Sequence, residues 1–93
     1  MKNILVTGCA GFIGFHLCNK LINKNYNIIG IDNLNNYYDI KLKKDRLKIL
    51  KNKNKNFIFL KVDLKSYQKI SKIFVKYKFD VVINLAAQAG VRH

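Results

Sequence analysis

The chain has 93 residues, enough for one small domain and fewer than a doubly wound nucleotide-binding domain normally needs. Lys and Arg number 18 against 5 Asp and Glu, a formal charge of +13, which ordinarily suggests nucleic acid or an anionic membrane as partner. The 16 lysines are dispersed among 12 asparagines, a usage that A/T-rich codons produce by themselves, and they form no basic stripe interleaved with aromatics, so neither partner is expected.

The first predicted element is a strand from Lys2 to Thr7, whose run Ile4, Leu5, Val6 suits a strand buried on both faces of a parallel sheet. Thr7-Gly8-Cys9-Ala10-Gly11-Phe12-Ile13-Gly14 follows and opens a helix. Glycines at this spacing allow a tight turn, close approach of a pyrophosphate and close packing of helix on strand. The pyrophosphate then meets unpaired N–H groups at the positive end of the helix dipole. Within the helix Ile13, Leu17 and Leu21 recur every four residues with Cys18 and Ile22 beside them, a single apolar stripe, while Lys20, Asn23 and Lys24 fall on the wet side.

The second strand, Asn27 to Ile31, ends at Asp32, which lies 18 residues past Gly14. A carboxylate there accepts hydrogen bonds from both adenosine ribose hydroxyls and repels a 2′-phosphate. An ordinary strand-to-helix turn would explain the glycines alone; strand, spacing, helix and acid together point to a dinucleotide site for NAD, not NADP.

Asn33 to Asp39 is rich in turn formers and reads as a loop. A basic helix runs from Ile40 to about Lys51, carrying Leu42, Arg46, Leu47, Ile49 and Leu50, and a Lys-Asn connector follows to Asn56. Phe57 to Val62 is the third strand, ending at Asp63. Ile70, Ile73, Phe74 and Tyr77 mark one face of a third helix, with Ser66 as its N-cap. Asp80 to Leu85 is the fourth strand, followed by the small residues Ala86, Ala87, Ala89 and Gly90.

Alternating strands and helices predict an α/β fold with a parallel sheet. Right-handed crossovers give the strand order 3-2-1-4, an incomplete doubly wound sheet of the Rossmann type. Ligands lie beyond the carboxyl ends of such strands, so Gly8–Gly14 and Ala86–His93 flank the expected crevice. Ala86 and Ala87 either leave room for cofactor or pack on the glycine loop.

Cys9 and Cys18 make no disulfide framework, and a reduced cytoplasm fits them. Cys9, near a helix N-terminus, is either a thiol of lowered pKa and a redox candidate or a small residue tolerated beside the pyrophosphate. The chain starts at a core strand, which leaves no signal peptide, and no apolar stretch approaches the roughly 20 residues of a membrane span, so a soluble protein is expected.

As a set, the segments Leu5 to Gly14, Gly30 to Asp39 and Asn84-Leu85-Ala86-Ala87-Gln88-Ala89-Gly90-Val91-Arg92 resemble the extended short-chain dehydrogenase/reductase family, and within it the UDP-glucuronate 4-epimerases. The glycine motif and the acid point only to the superfamily, which also holds other nucleotide-sugar epimerases, dehydratases and decarboxylases. Asn33 to Asp39 and Ala86 to Arg92 are more particular to the glucuronate epimerases. Cys9, where alanine is usual, and His93, where tyrosine is commoner, are the departures.

The resemblance implies that residues 1–93 are the N-terminal part of an NAD-binding domain whose substrate domain is absent. NAD⁺ oxidises C4 of a UDP-sugar in this family and C4 is then reduced from the opposite face. Gly8, Gly11, Phe12, Ile13 and Gly14 would hold the pyrophosphate, and Asp32 with Asn33 the ribose. Asp63 and Leu64 would border the adenine, and Leu85, Ala86, Ala87 and Gln88 the inner half of the cofactor. Gly90, Val91 and Arg92 would lie toward the substrate, with Arg92 either beside the uronate or merely a surface charge. The resemblance also implies a homodimeric parent, with UDP-sugar as partner and neither nucleic acid nor membrane.

The family's general base is the tyrosine of a Tyr-x-x-x-Lys pair assisted by Ser or Thr. Tyr37 and Lys41 have that spacing, but they sit after the second strand, where the family has no catalytic group. These 93 residues alone are therefore expected not to catalyse epimerisation. A non-catalytic NAD-binding module is the other reading. The apolar fourth strand would form an uncovered edge and the face crossed by one helix would stay partly bare. The chain alone should thus be marginally stable and self-associate. Unfolding transitions and light scattering that vary with concentration are the expected result; a sharp, concentration-independent transition from a monomer would contradict it.

Overall fold

Alternating residues of the strands point to opposite faces of the sheet, and both sets are apolar, so the sheet must be covered on both sides. A computed structural model describes residues 2–34, 40–53 and 56–85. The elements follow as β1 (Asn3–Thr7), α1 (Phe12–Ile22), β2 (Asn27–Asp32), α2 (Ile40–Lys53), β3 (Phe57–Lys61), α3 (Tyr67–Tyr77) and β4 (Val81–Asn84). All three strand pairs are parallel, in the order β3-β2-β1-β4. This is the sheet the alternating pattern predicts.

Ile4 and Val6 of β1 and Ile28 of β2 face one way and meet Cys18 and Ile22 of α1 and Leu47 and Leu50 of α2. Leu5, Ile29 and Ile31 face the other way, where Ile73 of α3 is buried against them with Ile70 and Tyr77 alongside. The second face is less completely covered: Val82, which pairs with Leu5, remains 48% exposed. Asn3 fixes the far end of the sheet, with its amide side chain donating to the Tyr77 carbonyl at 2.7 Å and its N–H donating to Asp80 Oδ2 at 2.9 Å.

Three expectations shift. In α1 the buried line runs through Gly14, Cys18 and Ile22, with Leu17 and Leu21 half-buried, and Ile13 is 67% exposed. The stripe turns by one residue because the helix is drawn onto the loop through Gly14, which swings position 13 outward. In α2, which runs two residues beyond the expected Lys51, the buried residues are Lys43, Leu47 and Leu50, while Leu42 and Ile49 are exposed. Ser66 occupies the N-cap of α3 without a side-chain capping bond; its carbonyl accepts the Ile70 N–H at 3.1 Å. Among the described residues no helix is long and apolar enough to cross a membrane.

Candidate dinucleotide-binding site

The glycine loop turns back over the carboxyl end of β2. Gly8 has φ 73°, in the left-handed region that favours glycine. The N–H groups of Gly8 and Cys9 both donate to the Ile31 carbonyl, at 2.7 and 3.2 Å, and Gly11 N–H donates to the Gly8 carbonyl at 3.1 Å. Gly11 is the N-cap of α1. A β-carbon at Gly14 would lie 2.1 Å from the Gly8 carbonyl oxygen, so no other residue fits without moving backbone; at Gly11 the same distance is 3.3 Å. Phe15 N–H closes the first helical bond, onto Gly11 O at 2.9 Å. The N–H groups of Phe12, Ile13 and Gly14 precede it and have no intrahelical acceptor, which is the donor set an anion meets at a helix start.

Asp32 is directed at this loop. Its Oδ2 accepts the Ala10 N–H at 3.1 Å, and its Oδ1 accepts the Leu34 N–H at 2.8 Å, a local turn of the kind aspartate favours. The same Oδ1 lies 3.4 Å from Lys43 Nζ, with both side chains buried. Three residues along α2, Arg46 Nη1 donates to the Ala10 carbonyl at 3.0 Å, and its guanidinium stands 5.9 Å from the centre of the Phe12 ring. Helix α2 therefore clamps both polar groups of Ala10, one directly and one through the acid.

Neither Lys43 nor Arg46 was expected to take part in the site. The signal was available for Lys43: position 43 shares a helical face with Leu47 and Leu50, and an ammonium on such a face requires a carboxylate.

Asn33 and Asp63, at the ends of β2 and β3, line an open recess of about 430 Å³ with Lys61, Val62 and Lys69. The Val62 N–H donates to the Asp32 carbonyl at 3.2 Å, which joins the recess to the acid. Leu64 is exposed beside it. Phe12 and Ile13 are exposed at the opening turn of α1. At the end of β4 the Leu85 N–H donates to Thr7 Oγ1 at 3.1 Å, and the Thr7 hydroxyl donates to Asn84 Oδ1, so the chain leaves the sheet next to the glycine loop. Gly8, Gly11, Gly14, Asp32, Asn33 and Asp63 thus lie along the carboxyl ends of three adjacent strands. Ala86, Ala87, Gln88, Gly90, Val91 and Arg92 lie outside the described residues, as does Tyr37.

The idea of an acidified Cys9 thiol is overturned. Cys9 is fully buried beneath the loop, where its Sγ would lie 2.7 Å from a β-carbon at Gly30. Desolvation raises its pKa far above the ordinary 9.0, with the Cys18 and Asp32 charges adding to the rise. Burial also pushes Cys18 up to about 12. Both are packing thiols, and the helix N-terminus does not offset their loss of water.

The sequence profile of the GDP-mannose 4,6 dehydratase family matches residues 5–93. The chain belongs to this family. Over 90 residues it is 53% identical to protein CapI of Staphylococcus aureus, covering 97% of this chain and 26% of that one. It is 47% identical over 92 residues to a UDP-glucuronate 4-epimerase of Thermodesulfobacterium geofontis, covering 99% and 28%. The crystal structure of a Bacillus cereus UDP-glucuronic acid 4-epimerase, in complex with UDP-glucuronic acid and NAD, superposes with a TM-score of 0.79 at 40% identity, covering 97% of this chain and 28% of that one. The chain thus spans about a quarter of the length of the relatives it matches.

The buried thiols carry a pH signature. A thiol whose folded pKa is raised contributes its full stability below its unfolded value, near 9.0, and loses it as pH climbs toward the folded value of about 12 for Cys18. By pH 10 the loss should be about 1 kcal/mol per thiol. Urea unfolding at pH 8 and 10 should therefore show a steeper decline in the parent chain than in a Cys9→Ala/Cys18→Ala variant. Equal declines would mean that the thiols are not protected in the fold.

Proposed function

We propose that these 93 residues form the NAD-binding part of a nucleotide-sugar 4-epimerase of the UDP-glucuronate type. One observation carries the reading: the Asp32 carboxylate and the glycine loop are joined directly, through the Ala10 N–H at 3.1 Å, so acid and anion cradle address one ligand. The residues fit a dinucleotide. Gly14 lets the opening turn of α1 pack against the Gly8 carbonyl, and the recess of Asn33 and Asp63 adjoins the acid.

The residues divide by chemistry. Gly8, Gly11 and Gly14 shape the turn and let α1 pack onto it, and the pyrophosphate takes the N–H groups of Phe12, Ile13 and Gly14. Asp32 and Asn33 take the adenosine ribose, and Asp63 and Leu64 border the adenine. By the family resemblance, Leu85, Ala86, Ala87 and Gln88 are assigned to the inner half of the cofactor, and Gly90, Val91 and Arg92 to the UDP-sugar. NAD, when bound, supplies oxidation and re-reduction at C4 of the sugar. This chain binds and orients it; the tyrosine base and its Ser or Thr partner belong to a longer parent, a cytoplasmic homodimer in our reading. Relatives of known structure support both ligands, since the Bacillus cereus enzyme was crystallised with UDP-glucuronic acid and NAD. Other NAD-dependent nucleotide-sugar chemistry is the second reading, favoured by the 26%-identical dTDP-glucose 4,6-dehydratase of Bacillus anthracis, which was also solved in complex with NAD.

Calorimetric titration tests the binding. NAD⁺ should saturate a single site on the chain, and Asp32→Ala should weaken it by about tenfold or more, the loss of a charged hydrogen-bond acceptor. Absence of saturable NAD⁺ binding, or tighter and steeply salt-dependent binding of duplex DNA, would contradict the reading. In the longer parent, Arg92→Ala should raise KM for UDP-glucuronate; unchanged KM and turnover would remove Arg92 from the sugar site.

A further inference from the structure

The ribose end of the site holds a cation as well as an acid. Lys43 Nζ stands 3.4 Å from Asp32 Oδ1, with the lysine side chain only 10% exposed and the aspartate 5%. A carboxylate at a strand end selects ribose hydroxyls and repels a 2′-phosphate; a cation at the same place does the opposite. This subsite contains both, so its preference depends on which charge the incoming group meets unopposed.

A buried ammonium is costly unless an anion faces it. Asp32 supplies that anion, whatever further bond Lys43 keeps. If residue 32 is made neutral, Lys43 remains fixed on α2 by the burial of Leu47 and Leu50 on the same face and loses its carboxylate. A phosphate dianion entering beside it would restore the pairing through a charge-assisted bond. Arg46 strengthens the local positive field from the next turn of α2.

We propose that Lys43 is a latent 2′-phosphate ligand and that Asp32 is the gate holding it in check, so that neutralising Asp32 alone converts a preference for NAD into one for NADP. This rests on the dinucleotide reading above and goes beyond it, because it assigns a specificity role to a lysine of α2.

The test is a competition titration of NAD⁺ and NADP⁺ against the chain and its Asp32→Asn, Asp32→Ser and Lys43→Met variants, and against each Asp32 variant combined with Lys43→Met. Circular dichroism of every variant accompanies it. The ratio of NADP⁺ to NAD⁺ affinity should rise by about 100-fold or more in a folded Asp32 variant. Adding Lys43→Met should cancel about tenfold or more of that gain. A gain of equal size with and without Lys43, or no gain while NAD⁺ still binds, overturns the proposal and leaves the dinucleotide reading intact. Should neither Asp32 variant fold, Lys43→Met alone decides: the ratio falls by about threefold or more if the lysine attracts the phosphate, and an unchanged ratio overturns the proposal. A parent chain that binds neither dinucleotide defeats the dinucleotide reading first and this inference with it.

Discussion

The backbone of α1 lies so close to the Gly8 carbonyl that a single β-carbon at position 14 would come within 2.1 Å of its oxygen. That contact sets the direction of the helix and, with it, the direction of the amides in the opening turn. It also explains why the buried line of α1 runs through Gly14, Cys18 and Ile22 and leaves Ile13 outside. The loop has its own anchor in the Ile31 carbonyl, which takes two of its N–H groups. Beneath it Cys9 fills the space over Gly30, where a β-carbon would also meet the Phe57 ring at 3.1 Å. Sheet, loop and helix are therefore one packed unit, and the direction of the opening-turn amides follows from the packing.

Helix α2 is the second support. Through Arg46 it holds the Ala10 carbonyl, and through Lys43 it holds the carboxylate that accepts the Ala10 N–H. The high positive charge of the chain thus has a local use: two of its 18 basic residues brace the loop that would receive a pyrophosphate. Such charges act strongly because they lie in a partly desolvated place, whereas the exposed lysines of the connector and of α3 are screened by water and salt.

Where a residue's environment follows from local pattern, the sequence was enough to read it. The apolar runs at Ile4–Val6 and Ile28–Ile31 name central strands, and the glycine spacing with Asp32 at the next strand end places a tight turn beside an acid, as observed. Right-handed crossovers then leave one arrangement, β3-β2-β1-β4, which is the observed sheet. The failures share a cause. Lys43 carries no expected role in the basic helix, Cys9 stays open between an acidified thiol and a small packed residue, and Ile13 reads as core. Each is decided by a contact that periodicity does not report: Asp32 for the lysine, Gly30 for the cysteine, and the Gly8–Gly14 contact for the isoleucine. Side-chain periodicity carries no information about such partners, and burial decides the sign of the thiol shift once they are in place.

The central claim is that a dinucleotide pyrophosphate sits on the first turn of α1 with its ribose at Asp32. The most direct measurement is an amide ¹H–¹⁵N spectrum of the chain recorded through a titration with NAD⁺. The account predicts saturable shifts concentrated at the amides of Gly11 to Gly14, Asp32 and Asn33, with the amides of α3 unmoved. Shifts confined to α3 or the β4 edge, or none at the glycine loop at saturating NAD⁺, would contradict it.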